Sequence, residues 1–340
     1  MTDQPQHQHD DVRVQVGDQR LPAADADGIT ALHGLVDVAR SYARASKADN
    51  TRRAYGHDWR DFVRWCDGDG LQVLPATPAT LCLYLSALAE SGRKASTIER
   101  RLAAISQAHQ VAGHIPSPTL DWQVRAVMGG IRRSLGTAPD QKAALETDQL
   151  RRLLVATPED TLGGRRDRAL LLLGFAGGFR RSELVALEVE DLEESEHGLR
   201  VRLRRFKTDQ EGEGDVKGIP WGSHLETCPV GAVRAWLEAS GITKGPLFRA
   251  VDRHGRLGGG RLGDRAAAEV VKRAAKRAGL DPALYGGHSL RAGHATSAAA
   301  GGAPERAIMR QTGHRSLQIL RGYIRSGTLW RENAATYLGL

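Results

Sequence analysis

Apolar periodicity enters the chain late. Residues 1–27 are rich in Gln, Asp and His and carry no apolar stripe, so a disordered tail is expected there. His7 and His9 within it lack companions that would complete a metal site. From residue 28 to residue 135 apolar positions recur every three or four residues, as in helices with one buried face. Residues 29–45 line up Leu32, Leu35, Val36, Ala39 and Tyr42. Asn50 can cap a second helix, whose stripe is Tyr55, Trp59, Phe62, Val63 and Cys66. Thr77 before Pro78 marks a third start, with Leu81, Tyr84, Leu85 and Leu88 turned inward. A fourth helix begins near Ser96 and buries Ile98, Leu102, Ile105 and His109; a fifth covers residues 120–135.

Residues 136–146 mix Gly, Pro and charge without a stripe and read as a linker. Beyond it, Thr147 can cap a helix to Val155, and residues 167–177 form a strongly apolar one. Residues 199–205 alternate apolar and basic, the period of a half-buried strand, and a second short strand ends at Ile219. Helices are expected over 229–240, 263–278, 288–300, 304–311 and 316–322. The glycine-rich stretch 255–263 reads as a flexible loop. The fold class is therefore mainly α: a helical domain at 28–135, then an α+β domain at 147–340 with a small sheet.

Composition narrows the function. No window nears 18 apolar residues in a row, which argues against a membrane span, and the first residues do not read as a secretory signal. The 3 cysteines, Cys66, Cys82 and Cys228, are far apart, so neither a disulfide scaffold nor a Cys-type zinc site is expected. The expectation is a protein of a reducing cytoplasm. The net charge of +8 favours a polyanionic partner, nucleic acid first. Basic pairs are spread along the chain rather than gathered in a tail. In the N-terminal domain Arg52, Arg53, Arg93, Lys94, Arg100, Arg101, Arg132 and Arg133 are the candidate DNA-binding residues.

Four segments carry candidate chemistry. In G-G-F-R-R-S-E-L (177–184) an apolar helix stops at a glycine pair, Arg180 follows, and Ser182 can cap the next helix. In R-R-F-K-T-D-Q-E-G (204–212) Lys207 ends a basic strand. In G-H-S-L-R-A-G-H-A-T (287–296) His288 and Arg291 share one helix face. In T-G-H-R-S-L-Q-I-L-R-G-Y-I-R (312–325) Tyr323 follows His314 by nine residues. His294 has no ligand partners at metal spacing, and Tyr337 lacks the spacing to His314.

In this order the segments resemble the tyrosine recombinase (phage integrase) family, over about residues 30–338, and are closest in layout to its Cre branch. At the position of His314 that branch carries Trp, so there this sequence follows the commoner family pattern. The resemblance implies a SAM-like core-binding domain, a catalytic domain with a small antiparallel sheet, and site-specific recombination of DNA. It implies that Tyr323 attacks a phosphodiester to give a 3′-phosphotyrosine, with Arg180 and Arg291 clamping the phosphate. Lys207 is the implied general acid, with Lys217 its competitor. His288 would exchange a proton with the tyrosine, His314 would bond a phosphate oxygen, and Glu183 would orient the site. No cofactor or metal is implied. The implied partner is double-stranded DNA with inverted-repeat half-sites, clasped by two domains and bound as a homotetramer through the apolar C-terminal segment 329–340. Two other readings share the fold: a catalytically silent DNA-binding accessory protein, and a type IB topoisomerase-like enzyme.

Overall fold

The computed structural model describes residues 38, 41–42, 47–138, 142–204, 214–314, 316–328 and 333–338. The tail at 1–27, most of the helix expected at 29–45, Lys207, Leu329 and Trp330 lie outside the described residues. The chain divides into two compact units, residues 1–139 and 140–340.

The first unit contains α1 (Asp49–Gly68), α2 (Pro78–Glu90), α3 (Ala95–Val111) and α4 (Trp122–Leu135). The Thr77 hydroxyl accepts from the Thr80 amide at 3.1 Å with Pro78 in the first turn, as the local pattern demands. Asn50 does not cap α1. The helix begins one residue earlier, at Asp49, and the Asn50 side-chain oxygen accepts from Arg53 instead. Phe62, Leu81, Leu85, Ile98, Ile105 and Val124 are fully buried and make the core. The rings of Phe62 and Tyr84 meet edge to face at 5.0 Å.

His109 is fully buried in that unit, with both ring nitrogens committed. Nε2 accepts from the Ala76 amide at 2.9 Å, so Nδ1 carries the hydrogen and donates to the Ile105 carbonyl at 2.9 Å. The imidazole thereby joins the start of α2 to the end of α3, and only in its neutral form.

The second unit opens with α5 (Thr147–Val155), α6 (Leu162–Ala176) and the short α7 (Arg181–Ala186). α6 starts earlier than its apolar run suggests. Thr161 caps it through the Gly164 amide, and its first turns bury an Arg166–Asp167 ion pair that interrupts the apolar signal. A three-stranded antiparallel sheet follows in the order β1 (Leu192–Ser195), β2 (Gly198–Leu203), β3 (Asp215–Pro220). Leu199, Val201 and Leu203 point inward from β2 while Arg200 and Arg202 point out, which is the alternation read from the sequence. α8 (Pro229–Ser240) buries Trp236, whose indole N–H donates to the Leu247 carbonyl at 2.8 Å.

The glycine-rich stretch is not a loop throughout: β5 (Leu257–Arg261) pairs with β4 (Arg249–Val251). Arg261 anchors it by donating to the carbonyls of Val185 and Leu187 and to Glu188. α9 (Asp264–Arg277), α10 (Ser289–Ala300), α11 (Glu305–Thr312) and α12 (Leu317–Thr328) complete the unit. The main core runs through Leu170–Leu173, Phe179, Val201, Ile219, Phe248 and Val271. A smaller cluster joins Ala292, Ala295 and Ala299 to Ile308, Leu320 and Tyr323. Among the described residues no helix is long and apolar enough to cross a membrane.

His109 generates a pH prediction. Burial, aided by the neighbouring His114, lowers its pKa below the ordinary 6.5. The folded chain then binds fewer protons than the unfolded chain as the pH falls below 6.5. Stability from this residue is complete above that value and is lost as the pH drops toward the lowered one. His109→Ala should cost roughly 2–3 kcal/mol at pH 7, from a cavity and an orphaned Ala76 amide. It should also flatten part of the acid-side decline in thermal stability. Melts of the two proteins at pH 7 and pH 5 check both, and parallel declines would refute the pH claim.

Candidate active site

The site is built from three chain turns. At the first, α6 ends at Gly177, the chain turns at Gly178 with φ of +55°, and Phe179 folds into the core. Both glycines are required. A Cβ on Gly177 would fall 2.0 Å from the Phe179 ring, and the Gly178 backbone lies in the left-handed region. Arg180 emerges next. Its amide donates to Glu183 Oε2 at 2.9 Å, its Nη1 to Glu183 Oε1 at 2.6 Å, and its Nη2 to the Gly313 carbonyl at 3.2 Å. Ser182, expected as the cap of α7, lies inside the helix. The Glu183 carboxylate reaches back to the Arg180 amide instead, which satisfies an open helix N–H and fixes the guanidinium in one stroke.

The second turn leads into α10. His288 precedes the helix and is exposed, whereas Arg291 in the first turn is 2% exposed. Arg291 Nη1 donates to the carbonyls of Gly178, at 2.9 Å, and Thr312. Its Nη2 is buried and finds no hydrogen-bond partner among the described residues. Burial, and then the positive charge of Arg180, holds the Arg291 pKa down at about 10, so the group stays charged at neutral pH.

The third turn ends α11 at Gly313, with φ of +64°. The Thr312 hydroxyl donates to the Ile308 carbonyl at 2.6 Å, so its oxygen accepts from His314 Nδ1 at 2.7 Å. That assigns the His314 proton to Nδ1 and turns Nε2 into an acceptor. Burial, followed by the charges of Arg291 and Arg180, pushes its pKa down to about 3, so the imidazole is neutral. Tyr323 lies in the middle of α12. Its hydroxyl is 2.8 Å from His288 Nε2, and its ring centroid is 5.8 Å from that of His314. The Tyr323 side chain is only 9% exposed. Burial raises its pKa and Arg291 partly offsets this, so at rest it is a protonated phenol.

Arg180, Glu183, His288, Arg291, His314 and Tyr323 are thus brought into one site, Arg291 and His314 through Thr312 and His288 directly against Tyr323. Lys207 falls outside the described residues. Lys217, its competitor, lies on β3, where its Nζ donates to the Gly177 carbonyl at 3.0 Å. Reading the sequence missed Thr312, which orients His314, and the carbonyls of Gly178 and Gly313, which hold the arginines. A Thr two residues before a functional His was the available signal for the first. His294 has its pKa lowered to about 4, chiefly by burial, and Tyr337 is 86% exposed in a 3₁₀ turn at Ala334–Tyr337. No cluster of metal-binding side chains occurs among the described residues.

The candidate DNA-binding residues separate into classes. Arg101 belongs to the interior. It is 5% exposed and donates to Asp61 and, at 2.9 Å, to the Tyr84 hydroxyl. It is therefore no surface contact, because α1 supplies the carboxylates of the buried Asp58 and the half-buried Asp61 that draw it inward. Arg100 forms a two-bond fork to the buried Asp58 at 2.8 and 3.0 Å yet keeps half its side chain exposed. Arg132 pairs with Glu99, Arg52 with Asp49, and Arg53 bonds Asn50. Arg93, Lys94 and Arg133 are exposed.

Residues 143–328 match the model of the phage integrase family, and residues 42–114 match that of the phage integrase N-terminal SAM-like domain. An integrase/recombinase xerD homolog of Selenomonas ruminantium is 42% identical over 298 residues, 87% of each chain. Recombinase cre of Escherichia phage P1 is 26% identical, over 91% of this chain and 93% of its own. Lambda integrase shares the fold at 17% identity, across 89% of this chain and 79% of its own. The TM-score is 0.60 for its dimer bound to a COC′ core site and 0.58 for its tetramer bound to a Holliday junction.

One glycine substitution tests the first turn, and a second, on α4, serves as its control. Gly177→Ala drives a methyl group into the Phe179 ring and should cost about 1–3 kcal/mol. Gly130→Ala meets nothing within 4 Å on α4 and should stabilise by about 0.5–1 kcal/mol. Urea unfolding of both variants is the check, and equal midpoints would show that the turn has room to spare.

Proposed function

The chain belongs to the phage integrase family and is a tyrosine-type site-specific recombinase, and we propose that its strand exchange is carried by Tyr323, Arg180, Arg291, His288, His314 and Lys207. The observation that supports this most is the 2.8 Å contact of Tyr323 with His288 beside an unpartnered, buried guanidinium nitrogen of Arg291. A phenol next to a base is a nucleophile in waiting, and an unsatisfied charged donor asks for an anion.

In this mechanism the phosphodiester enters between Arg180 and Arg291, which take its non-bridging oxygens. His288 accepts the Tyr323 proton as the phenol oxygen bonds to phosphorus, and the bond from phosphorus to the 5′-oxygen breaks. Lys207 protonates the departing 5′-oxygen. The product is a 3′-phosphotyrosine and a free 5′-hydroxyl. A 5′-hydroxyl from the partner strand then attacks the phosphotyrosine and gives its proton to Lys207, while His288 returns its proton to the departing Tyr323 oxygen, and the DNA is resealed. The phosphoester energy is conserved throughout, so no nucleotide is consumed. The anion also offsets the two cations that, after burial, hold down the proton affinity of His314, so a hydrogen on Nε2 becomes easier to hold against a phosphate oxygen.

The substrate in this reading is double-stranded DNA with inverted-repeat half-sites. Residues 28–135 act as the core-binding domain, 136–146 as the linker and 147–340 as the catalytic domain. Arg52, Arg53, Arg93, Lys94, Arg100, Arg132 and Arg133 serve as its backbone contacts. The working assembly is a homotetramer linked through the C-terminal segment. Tyr337 and Leu338, both well exposed there, support a role as contact residues. Such a protein belongs on the nucleoid, and three free cysteines suit a reducing compartment.

Tyr323→Phe removes one oxygen and little apolar surface. The variant should keep its melting behaviour and duplex affinity while covalent trapping on a nicked suicide substrate disappears. An adduct that persists would move the nucleophile elsewhere, with Tyr337 next to test.

Lys207→Ala should cleave an ordinary substrate slowly, by a factor of about 10²–10⁴. Replacing the 5′-bridging oxygen with sulfur should restore much of that rate, because a thiolate leaves without a proton. A slow variant that sulfur does not rescue would remove Lys207 from the acid role.

A further inference from the structure

Lys217 touches no reacting atom in this mechanism, yet it is 4% exposed. A lysine is rarely buried that far unless a partner holds it. It sits opposite Val201 in the sheet, on the same inward face of β3 as Ile219. Its Nζ donates to the Gly177 carbonyl at 3.0 Å and lies 4.6 Å from the centroid of the Phe179 ring. Gly177 is where α6 stops, and carbonyls at a helix C-terminus carry the negative end of its dipole. The nearby carboxylate of Glu183 favours the ammonium, while the charges of Arg291 and Arg180 oppose it. Burial outweighs the favourable charges and pushes the Lys217 pKa down to about 8, which leaves the group mostly protonated at neutral pH.

We infer that Lys217 is a positioning residue: by holding the Gly177 carbonyl and seating Phe179, it fixes the turn on which both phosphate-binding arginines depend. Arg180 leaves that turn directly, and the Gly178 carbonyl within it receives Arg291. Lys217 is not the general acid, because its ammonium is engaged with a main-chain carbonyl inside the fold. The inference rests on the reading that Arg180 and Arg291 bind the scissile phosphate.

The test uses full-length Lys217→Met and Lys217→Arg beside the wild type. Amide hydrogen exchange over residues 174–184 should quicken about tenfold in the Met variant, with distant segments unchanged. Gel shifts should give the wild-type duplex affinity. Single-turnover adduct formation should fall by up to about 10²-fold, as expected for small misplacements of charged donors. The fall should be equal on 5′-oxygen and 5′-sulfur substrates, and Lys217→Arg should recover part of the rate. Should the Met variant not fold, Lys217→Gln carries the same arms. Exchange over 174–184 that matches the wild type overturns the inference. Selective rescue by sulfur also overturns it and makes Lys217 the acid. A wild type that forms no adduct through Tyr323 sinks the catalytic assignment instead, and the exchange measurement still decides the role of Lys217.

Discussion

Two guanidinium groups aimed at one place repel each other, and everything around them serves to hold them there. Close like charges at an effective dielectric of about 20 cost a few kcal/mol. A buried charge also needs bonds in place of the water it has lost. The fold meets both demands with oxygen atoms. Glu183 takes one arginine through two oxygens, and the carbonyls of Gly178, Thr312 and Gly313 take the remaining reach. Three of these acceptors are main-chain groups at turns, where carbonyls are not consumed by helix bonds. This explains why the site sits at helix ends and why glycines bracket it. The demand is left unfinished at one atom, Arg291 Nη2. In the proposed mechanism an arriving phosphate supplies the missing partner and the missing negative charge together.

Burial and the same positive field together set the protonation of the other groups. His314 is held neutral by burial and by the two arginines, and Thr312 assigns its proton to the nitrogen away from Nε2. Tyr323 feels opposing influences: burial makes its proton harder to remove and Arg291 makes it easier. The resting site is therefore poorly prepared for proton transfer, and in the proposed mechanism the bound phosphate makes it ready. In that mechanism this couples the chemistry to DNA binding through electrostatics.

Much of this was legible in one dimension. The Thr77–Pro78 start, the alternation along β2 and the inward stripes of α1 to α3 are local patterns, and they fold as they read. Arg180, His288, Arg291, His314 and Tyr323 were each visible in a short motif. Partnership across long distances was hidden. Arg101 lies beside Arg100 in a basic run, and only the fold of α1 against α3 reveals that Asp58 and Asp61 claim the pair. Glu183 capping its own helix was masked by the better-looking Ser182. Lys217 is the intermediate case. It stands two residues before the buried Ile219, so the strand period already places it inward, and only the acceptor at Gly177 had to come from the structure.

The seat of Tyr323 closes the physical account. Its neighbours in the small cluster are mostly alanines, so α12 is held by less apolar area than the leucine-rich core beneath α6. Its ion pair, Arg321 with Glu305, is at the surface and adds little. What locates the helix is shape. A Cβ on Gly327 would fall 2.4 Å from the Thr296 carbonyl, so α12 and α10 meet nearly backbone to backbone. Close fit with little buried area gives a defined resting position that is inexpensive to leave. In the proposed mechanism Tyr323 becomes bonded to its substrate and moves with the phosphorus it has captured, whereas the two arginines hold their place. A large leucine-rich core under Arg180 and a small alanine-lined seat under Tyr323 suit those two roles.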